Sequence, residues 1–277
     1  MAEEKEMAFL DHLEELRWHV VRSVAAIFIM MILAFVFTGF IFDEIIFAPS
    51  DPSFVTFRWL CRLGEITGVD GLCVTKIPMK LQSRFLMGQF TMQLTSSFVI
   101  GLCVAFPYVV WELWRFISPG LYIREKKGSR GAVFYVSFLF LLGIAFGYFI
   151  LSPMTIAFLA NYTISDKIAN EFDITSYVST ITALVLGSGL LFQLPVVMFF
   201  LTKVGIVTPQ FLRKYRKHAV VVILITGAII TPSPDPLSQS LISIPLYILY
   251  EISILISAME LKRKEKRELA ELQNSAT

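Results

Sequence analysis

Six apolar runs set the terms on which this chain can fold: residues 20–42, 90–114, 132–151, 178–202, 219–230 and 241–259. A helix needs roughly 17–25 apolar residues to cross a bilayer, and five of the runs have about that length. The fifth is too short: its residues rise only ~20 Å against a ~30 Å hydrocarbon core. Either the bilayer thins there or polar, water-accessible surface reaches into it. Charged residues make up 17% of the 277-residue chain, against the ~25% usual for a soluble domain. The expected fold is an all-α polytopic membrane protein of six transmembrane helices, one membrane domain over residues 1–277. The first 19 residues are polar and amphipathic, so no removable signal peptide is expected and the first span inserts uncleaved. No internal repeat is visible.

Lysine and arginine placement orients the spans. Bases gather in the N-terminal segment with the start of the first run (Lys5, Arg17, Arg22), between the second and third (Arg115, Arg124, Lys126, Lys127, Arg130), between the fourth and fifth (Lys203, Arg213, Lys214, Arg216, Lys217), and in the tail at 259–277. The connection at 153–177 holds only Lys167, and that at 231–240 holds none. Both termini are therefore expected in the cytoplasm of a cell with a single or inner membrane. The loop at 43–89 lies outside, and its five bases bear little on the rule because long loops follow it weakly. Within that loop, residues 74–90 are expected to form an amphipathic interfacial helix on Ile77, Leu81 and Phe85. Asp173 is a candidate cap for the fourth span. Ser152 and Pro153 are expected to punctuate the third span.

Enzymatic chemistry has no foothold in these residues. There is no metal-spaced His/Cys cluster, no phosphate-cradling glycine loop and no HExxH, so no cofactor, nucleotide or nucleic acid is expected. Of the three histidines, only His12 falls in a motif of interest. Cys61 and Cys73, 12 apart in the outer loop, form a candidate disulfide if that compartment is oxidising. Cys103 reads as a small buried hydrophobe.

Polar outliers remain. The amphipathic N-terminal segment at 1–19, expected at the cytoplasmic face and continuous with the first span, carries Glu14, Glu15 and Arg17. Acids near a helix start also suit its dipole. In "RFISPGLYIREKKGSR" the bases satisfy topology, which leaves Glu125 unexplained: it pairs locally or presents a carboxylate to an incoming cation. Glu112, Gln193 and Glu251 interrupt spans two, four and six, where polar groups face protein or a wet cavity. Glu112 is expected at the interface. Pro195 should bend span four, with Gly187 and Gly189 permitting close packing. Asp235 sits in the proline-rich outer hairpin "TPSPDPLSQS", and Pro49 marks the exit from span one. A secondary transporter lined by Glu112, Gln193 and Glu251 is one reading; a passive assembly scaffold is another.

Several stretches, in order and with this spacing, resemble the TatC family of the twin-arginine protein translocase: "HLEELR" (12–17), the Ala48 and Pro49 exit, "WRFISPGLYIREKK" (114–127), "FLANYT" (158–163), "TPQFLRKYRKHA" (208–219), "ITPSPDPLSQ" (230–239) and "IPLYILYEI" (244–252). The resemblance implies a cupped six-span bundle with short last spans. It implies recognition of twin-arginine signal peptides of folded precursors, assembly with TatA-type and TatB-type single-span partners, homo-oligomers within the receptor complex, and transport driven by the proton-motive force without ATP. It assigns recognition to Glu15 and Glu125, with Arg17 and His12 in the N-terminal motif, and it matches Asp235 to a family acid. Many members carry glutamate where this chain has Gln193, which hydrogen-bonds but cannot titrate. Arg124, Lys126 and Lys127 would contact anionic lipid and keep Glu125 ionised.

Overall fold

The computed structural model describes residues 9–68, 73, 76–117, 129–165, 167, 170–230 and 236–275. Glu125 and Asp235 lie outside them, as does the side chain of His12. Helices account for almost all of the fold: α1 (Phe9–Val36), one-turn α2 (Thr38–Phe40), α3 (Val55–Thr67), α4 (Gly88–Ile117), α5 (Ser129–Phe146), α6 (Ser152–Asn161), α7 (Ile174–Leu191), α8 (Leu194–Val204), α9 (Pro209–Lys214), α10 (Arg216–Ile230) and α11 (Pro236–Ser275). Two three-residue strands, β1 (Lys80–Gln82) and β2 (Glu171–Asp173), pair with each other. Among the described residues, five helical segments are long and apolar enough to cross a membrane: Glu14–Val36, Gly88–Ile117, Gly131–Asn161, Ile174–Val204 and Gln239–Lys264. The fifth apolar run becomes α10, whose 15 residues fall short. Phe28, Ile29, Ile32 and Val36 of α1 are all more than half exposed, so lipid, not protein, is their solvent.

The chain packs as two compact units. The first comprises Met1–Ala48, Leu81–Leu141 and Asp173–Val178. Its frame is α1 lying antiparallel on α4. The register is read from three levels: His19 meets Glu112 at one end, Gly101 lies against Ile27 and Met31 in the middle, and Gln93 donates to Thr38 at the other end (2.8 Å). A Cβ on Gly101 would stand 2.7 Å from the Met31 backbone nitrogen. Only glycine permits this approach. At the start of α7, Asp173 caps as expected: its carboxylate accepts from the Thr175 N–H (2.8 Å) and hydroxyl, and from the Arg84 N–H (2.9 Å). Those donors hold its pKa below the usual carboxylate range, the Thr175 hydroxyl contributing most.

The second unit comprises Pro49–Lys80, Leu142–Phe172 and Ser179–Thr277. Its core gathers Leu151, Leu184, Leu212, Ile223, Ile242, Leu246, Tyr250 and Ile254. The Ser188 hydroxyl donates to the Gly143 carbonyl (2.8 Å), where α7 approaches α5 too closely for a side chain on Gly143. The Tyr250 hydroxyl donates to the Leu212 carbonyl (2.8 Å), and Thr202 bonds Ser257 (2.8 Å). These three buried contacts satisfy hydroxyls where no water reaches.

Three expectations change. The Ser152–Pro153 pair does not end span three. Residues Gly147–Leu151 form a π-helical turn, Pro153 falls in the first turn of α6, and the Ser152 hydroxyl donates to the Gly147 carbonyl (2.8 Å). The wider turn absorbs the proline, so the helix runs on to Asn161. Residues 76–87 are not a helix, and only the last three of the stretch, 88–90, are helical, as the start of α4. Ile77, Met79 and Leu81 alternate with Lys76, Pro78, Lys80 and Gln82, a period-two pattern, and the last of these residues form β1. The helix of this loop is α3 instead, with Phe57 and Gly64 buried on one side and Gly68 (φ +72°) ending it. Cys103 is only partly buried.

Two outcomes follow. Gly101→Leu should destabilise the α1–α4 contact by about 1–3 kcal/mol, read as a lower melting temperature of the purified protein. Asp173 has a lowered folded pKa, so its cap is fully present above the unfolded value of about 3.9 and is lost as pH falls through the folded value. Hydrogen exchange at the Thr175 and Arg84 amides should rise below that pH, and Asp173→Ala should raise it at neutral pH.

Candidate functional site

The N-terminal end of α1 and the C-terminal end of α4 meet in the first unit through His19 and Glu112. α1 starts in "FLDHLEELRWHVVR", where side chains three and four apart share a face. Glu15 and His19 are one turn apart on that basis. His19 is 8% exposed, and its Nδ1 lies 2.5 Å from Glu112 Oε2. Glu112 is 1% exposed. Its other oxygen accepts from the Tyr108 hydroxyl (2.9 Å), one turn earlier on α4, and lies 3.9 Å from Arg115 Nη1. The Arg115 guanidinium also sits 4.9 Å above the Trp111 ring. A carboxylate taken out of water is costly unless paired and hydrogen-bonded, and Glu112 has all three kinds of partner.

Glu112 is therefore buried inside the α1–α4 contact, held there by His19. Sequence reasoning passed over His19 because a lone histidine beside an apolar run carries no motif. The available signal was pairwise: one acid in span two and one histidine at the start of span one, each needing a partner.

Around this lock the motif residues are more open. Glu15 is half-buried and forms no ion pair among the described residues. Arg17 is exposed, 3.7 Å from Glu14, with its guanidinium 5.5 Å from the Trp18 ring. The Glu14–Arg17 pair, 66% exposed on both sides, adds at most about 1 kcal/mol. What the end of α1 offers is one carboxylate without a counter-charge beside a locked helix junction.

The remaining candidates belong to the second unit. Gln193 stands where span four breaks. α7 ends at Leu191, the Gln193 carbonyl accepts from the N–H groups of Val196 and Val197 (both 3.0 Å), and α8 restarts with Pro195 in its first turn. Glu251 is bound rather than open: Arg216 Nη2 donates to it at 2.7 Å and the Tyr247 hydroxyl at 3.1 Å. Gly187 packs on Ile230. Pro49 is buried in a 3-10 turn, Ala48–Ser50. Cys61 of α3 and Cys73 are joined as a disulfide. Glu112 is paired within the first unit and Glu251 within the second.

Removing one partner of the His19–Glu112 pair should cost more than removing both. Glu112→Ala should lose about 3–5 kcal/mol by stranding its buried partners. The double variant His19→Phe with Glu112→Leu should recover most of the loss, and thermal unfolding of the four proteins of the cycle measures it.

Residues 11–245 match the family model for TatC, Sec-independent protein translocase protein. A Sec-independent protein translocase protein TatC from Blattabacterium sp. subsp. Periplaneta americana is 40% identical over 264 residues, spanning 95% of this chain and 99% of that one. Another TatC from Helicobacter pylori (strain ATCC 700392 / 26695) is 38% identical over 248 residues, 90% of this chain and 86% of its own. Two crystal structures of the twin arginine translocase receptor TatC superpose on the fold. One has a TM-score of 0.64 at 29% identity, covering 90% of this chain and 98% of that chain. The other, in DDM, has a TM-score of 0.69 at 30% identity, covering 89% and 99%. With a family model matching most of its length and relatives 40% and 38% identical over 95% and 90% of it, this chain belongs to the TatC family of Sec-independent protein translocase proteins.

Proposed function

We propose that this protein is the receptor subunit of a twin-arginine protein translocase, binding the twin-arginine signal peptides of folded precursors at the cytoplasmic end of its first unit. The carrying observation is Glu15: a half-buried carboxylate with no counter-charge among the described residues, one turn from the His19–Glu112 lock. A carboxylate held this way takes a guanidinium in a charge-assisted, bidentate pair. Arginine suits that geometry better than lysine because its planar fork matches both oxygens. Glu125, eight residues beyond the end of α4 at Ile117, supplies the second carboxylate, with Arg124, Lys126 and Lys127 against anionic lipid heads. His12 and Arg17 complete the N-terminal motif.

The same reading has six spans, both termini in the cytoplasm, a cupped bundle and α10 as a shortened fifth span, with Asp235 in the outer hairpin. Export is driven by the proton-motive force without ATP, and copies of the chain associate in the receptor complex. TatA-type and TatB-type partners each bring a single apolar helix. An open groove of about 350 Å³ in the second unit, lined by Val220, Ile223, Leu224, Ser243, Ile244 and Ile248, supports such a contact. The Ser243 hydroxyl is buried there without a hydrogen-bond partner among the described residues. Gln193 and Glu251 are polar contacts for a signal peptide or a partner helix, and with glutamine at 193 no step there needs a titrating group.

The decisive measurement is the affinity of a labelled twin-arginine signal peptide for the full-length protein in lipid nanodiscs. Glu125→Gln and Glu15→Gln should each weaken binding about 10-fold or more, the worth of one charge-assisted hydrogen bond, and a twin-lysine peptide should bind more weakly than the arginine one. Unchanged affinity in both variants would overturn the reading.

A further inference from the structure

The outer loop contains a basic, apolar helix face that signal-peptide binding does not use. α3 is amphipathic in an unusual sense. Its inward side buries Phe57 and Gly64, yet its outward side is also apolar: Val55, Trp59, Leu63 and Ile66 recur at three- to four-residue intervals and are 42%, 64%, 46% and 75% exposed. Two arginines, Arg58 and Arg62, stand one turn apart beside that stripe. With Val55 and Trp59 they line an open pocket of about 270 Å³. Neither guanidinium pairs with a carboxylate among the described residues. Glu65, the one acid of α3, lies a turn beyond Arg62 and does not line the pocket.

The position of α3 narrows what can cover this face. Its 13 residues reach ~20 Å, too short to cross a ~30 Å hydrocarbon core. It is tied sideways to a helix that does cross. The Thr56 hydroxyl donates to the Phe149 carbonyl, and the Phe54 ring stacks on Phe149 (5.9 Å) and meets Tyr148 edge-on (5.7 Å). Tyr148 and Phe149 belong to the Gly131–Asn161 span, 17 and 18 residues from its start; for a helix entering the hydrocarbon at that start this is about 26 Å along the axis, close to the far side of a ~30 Å core. The disulfide from Cys61 to Cys73 anchors the far half of α3. A short helix fixed at that level, with an outward apolar stripe, a half-exposed tryptophan and two unpaired guanidinium groups, matches the headgroup boundary in polarity and charge.

We infer that α3 is an interfacial helix whose Arg58, Trp59 and Arg62 bind the phosphate of an anionic glycerophospholipid in the leaflet opposite the N terminus. The two guanidinium groups take the phosphate oxygens as forked donors. Trp59 lies at the level of the glycerol and ester groups, and Val55, Leu63 and Ile66 rest on the acyl chains. The inference needs only a membrane protein, not the signal-peptide reading, and its test is separable from that reading.

Full-length protein in nanodiscs of phosphatidylglycerol and phosphatidylcholine would be released into the gas phase and its retained lipids counted by native mass spectrometry. Wild type should keep phosphatidylglycerol preferentially. Arg58→Ala with Arg62→Ala should lower that retention roughly 10-fold, since each basic group near a surface attracts anionic lipid appreciably. The paired lysine variant should retain an intermediate amount. Both arginines are exposed, so folding is not expected to change, and an intact Cys61–Cys73 disulfide checks it. Equal phosphatidylglycerol retention in wild type and the alanine variant overturns the inference. So does full displacement of the lipid by millimolar inorganic phosphate, which would mark a free-anion site. Twin-arginine peptide affinity should be the same in all these proteins, so either proposal can fail while the other stands.

Discussion

Inside the junction of two membrane helices, a buried carboxylate is joined to a buried imidazole, and the first unit of this protein is organised around that bond. Glu112 and His19 fix the end of α4 to the start of α1 (2.5 Å). Away from water such a pair is held together strongly, but each member alone is destabilising. The bond therefore specifies one register for two helices that are otherwise smooth and apolar. Gly101 against Met31 and Gln93 against Thr38 extend the same register along their length. Glu15, one turn before His19, inherits its position from it.

The second unit solves a different problem: helices that bend or break where no water can satisfy the freed backbone. The π-helical turn at Gly147–Leu151 admits Pro153 without ending the span, and the Ser152 hydroxyl takes up the Gly147 carbonyl. At Gln193 the chain stops and restarts, and its carbonyl accepts from two amides of the next helix. Irregular backbone at membrane depth survives only when protein groups replace water in this way. Glu251 and Arg216 apply the same rule to charge.

Much of this was legible in the residues. Run length and composition pointed to a multi-span helical protein, Asp173 announced its cap, and the order of short motifs matched the family across most of the chain. The misreadings have definite causes. Ile77, Leu81 and Phe85 suit a helix face, but Ile77, Met79 and Leu81 also fit a period of two, and pairing with residues 171–173 decides for a strand at Lys80–Gln82. Ser152–Pro153 reads as a stop because proline's local cost is visible in sequence and a compensating π-helical turn is not. The burial of Glu112 is not legible because hydropathy sees one carboxylate and not the imidazole 93 positions away.

The sequence by itself determined that the chain enters a membrane, roughly where it crosses, and to which family it belongs. These follow from local sums of hydrophobicity and from motif order, which need no partner. Tertiary structure alone decided which polar residues are paired and which stay open: His19 with Glu112 in a buried contact, Arg216 with Glu251 in a part-exposed one, and Glu15 without a counter-charge among the described residues. The reason is that the cost of a buried charge depends on the atom opposite it, and that atom comes from a distant part of the chain.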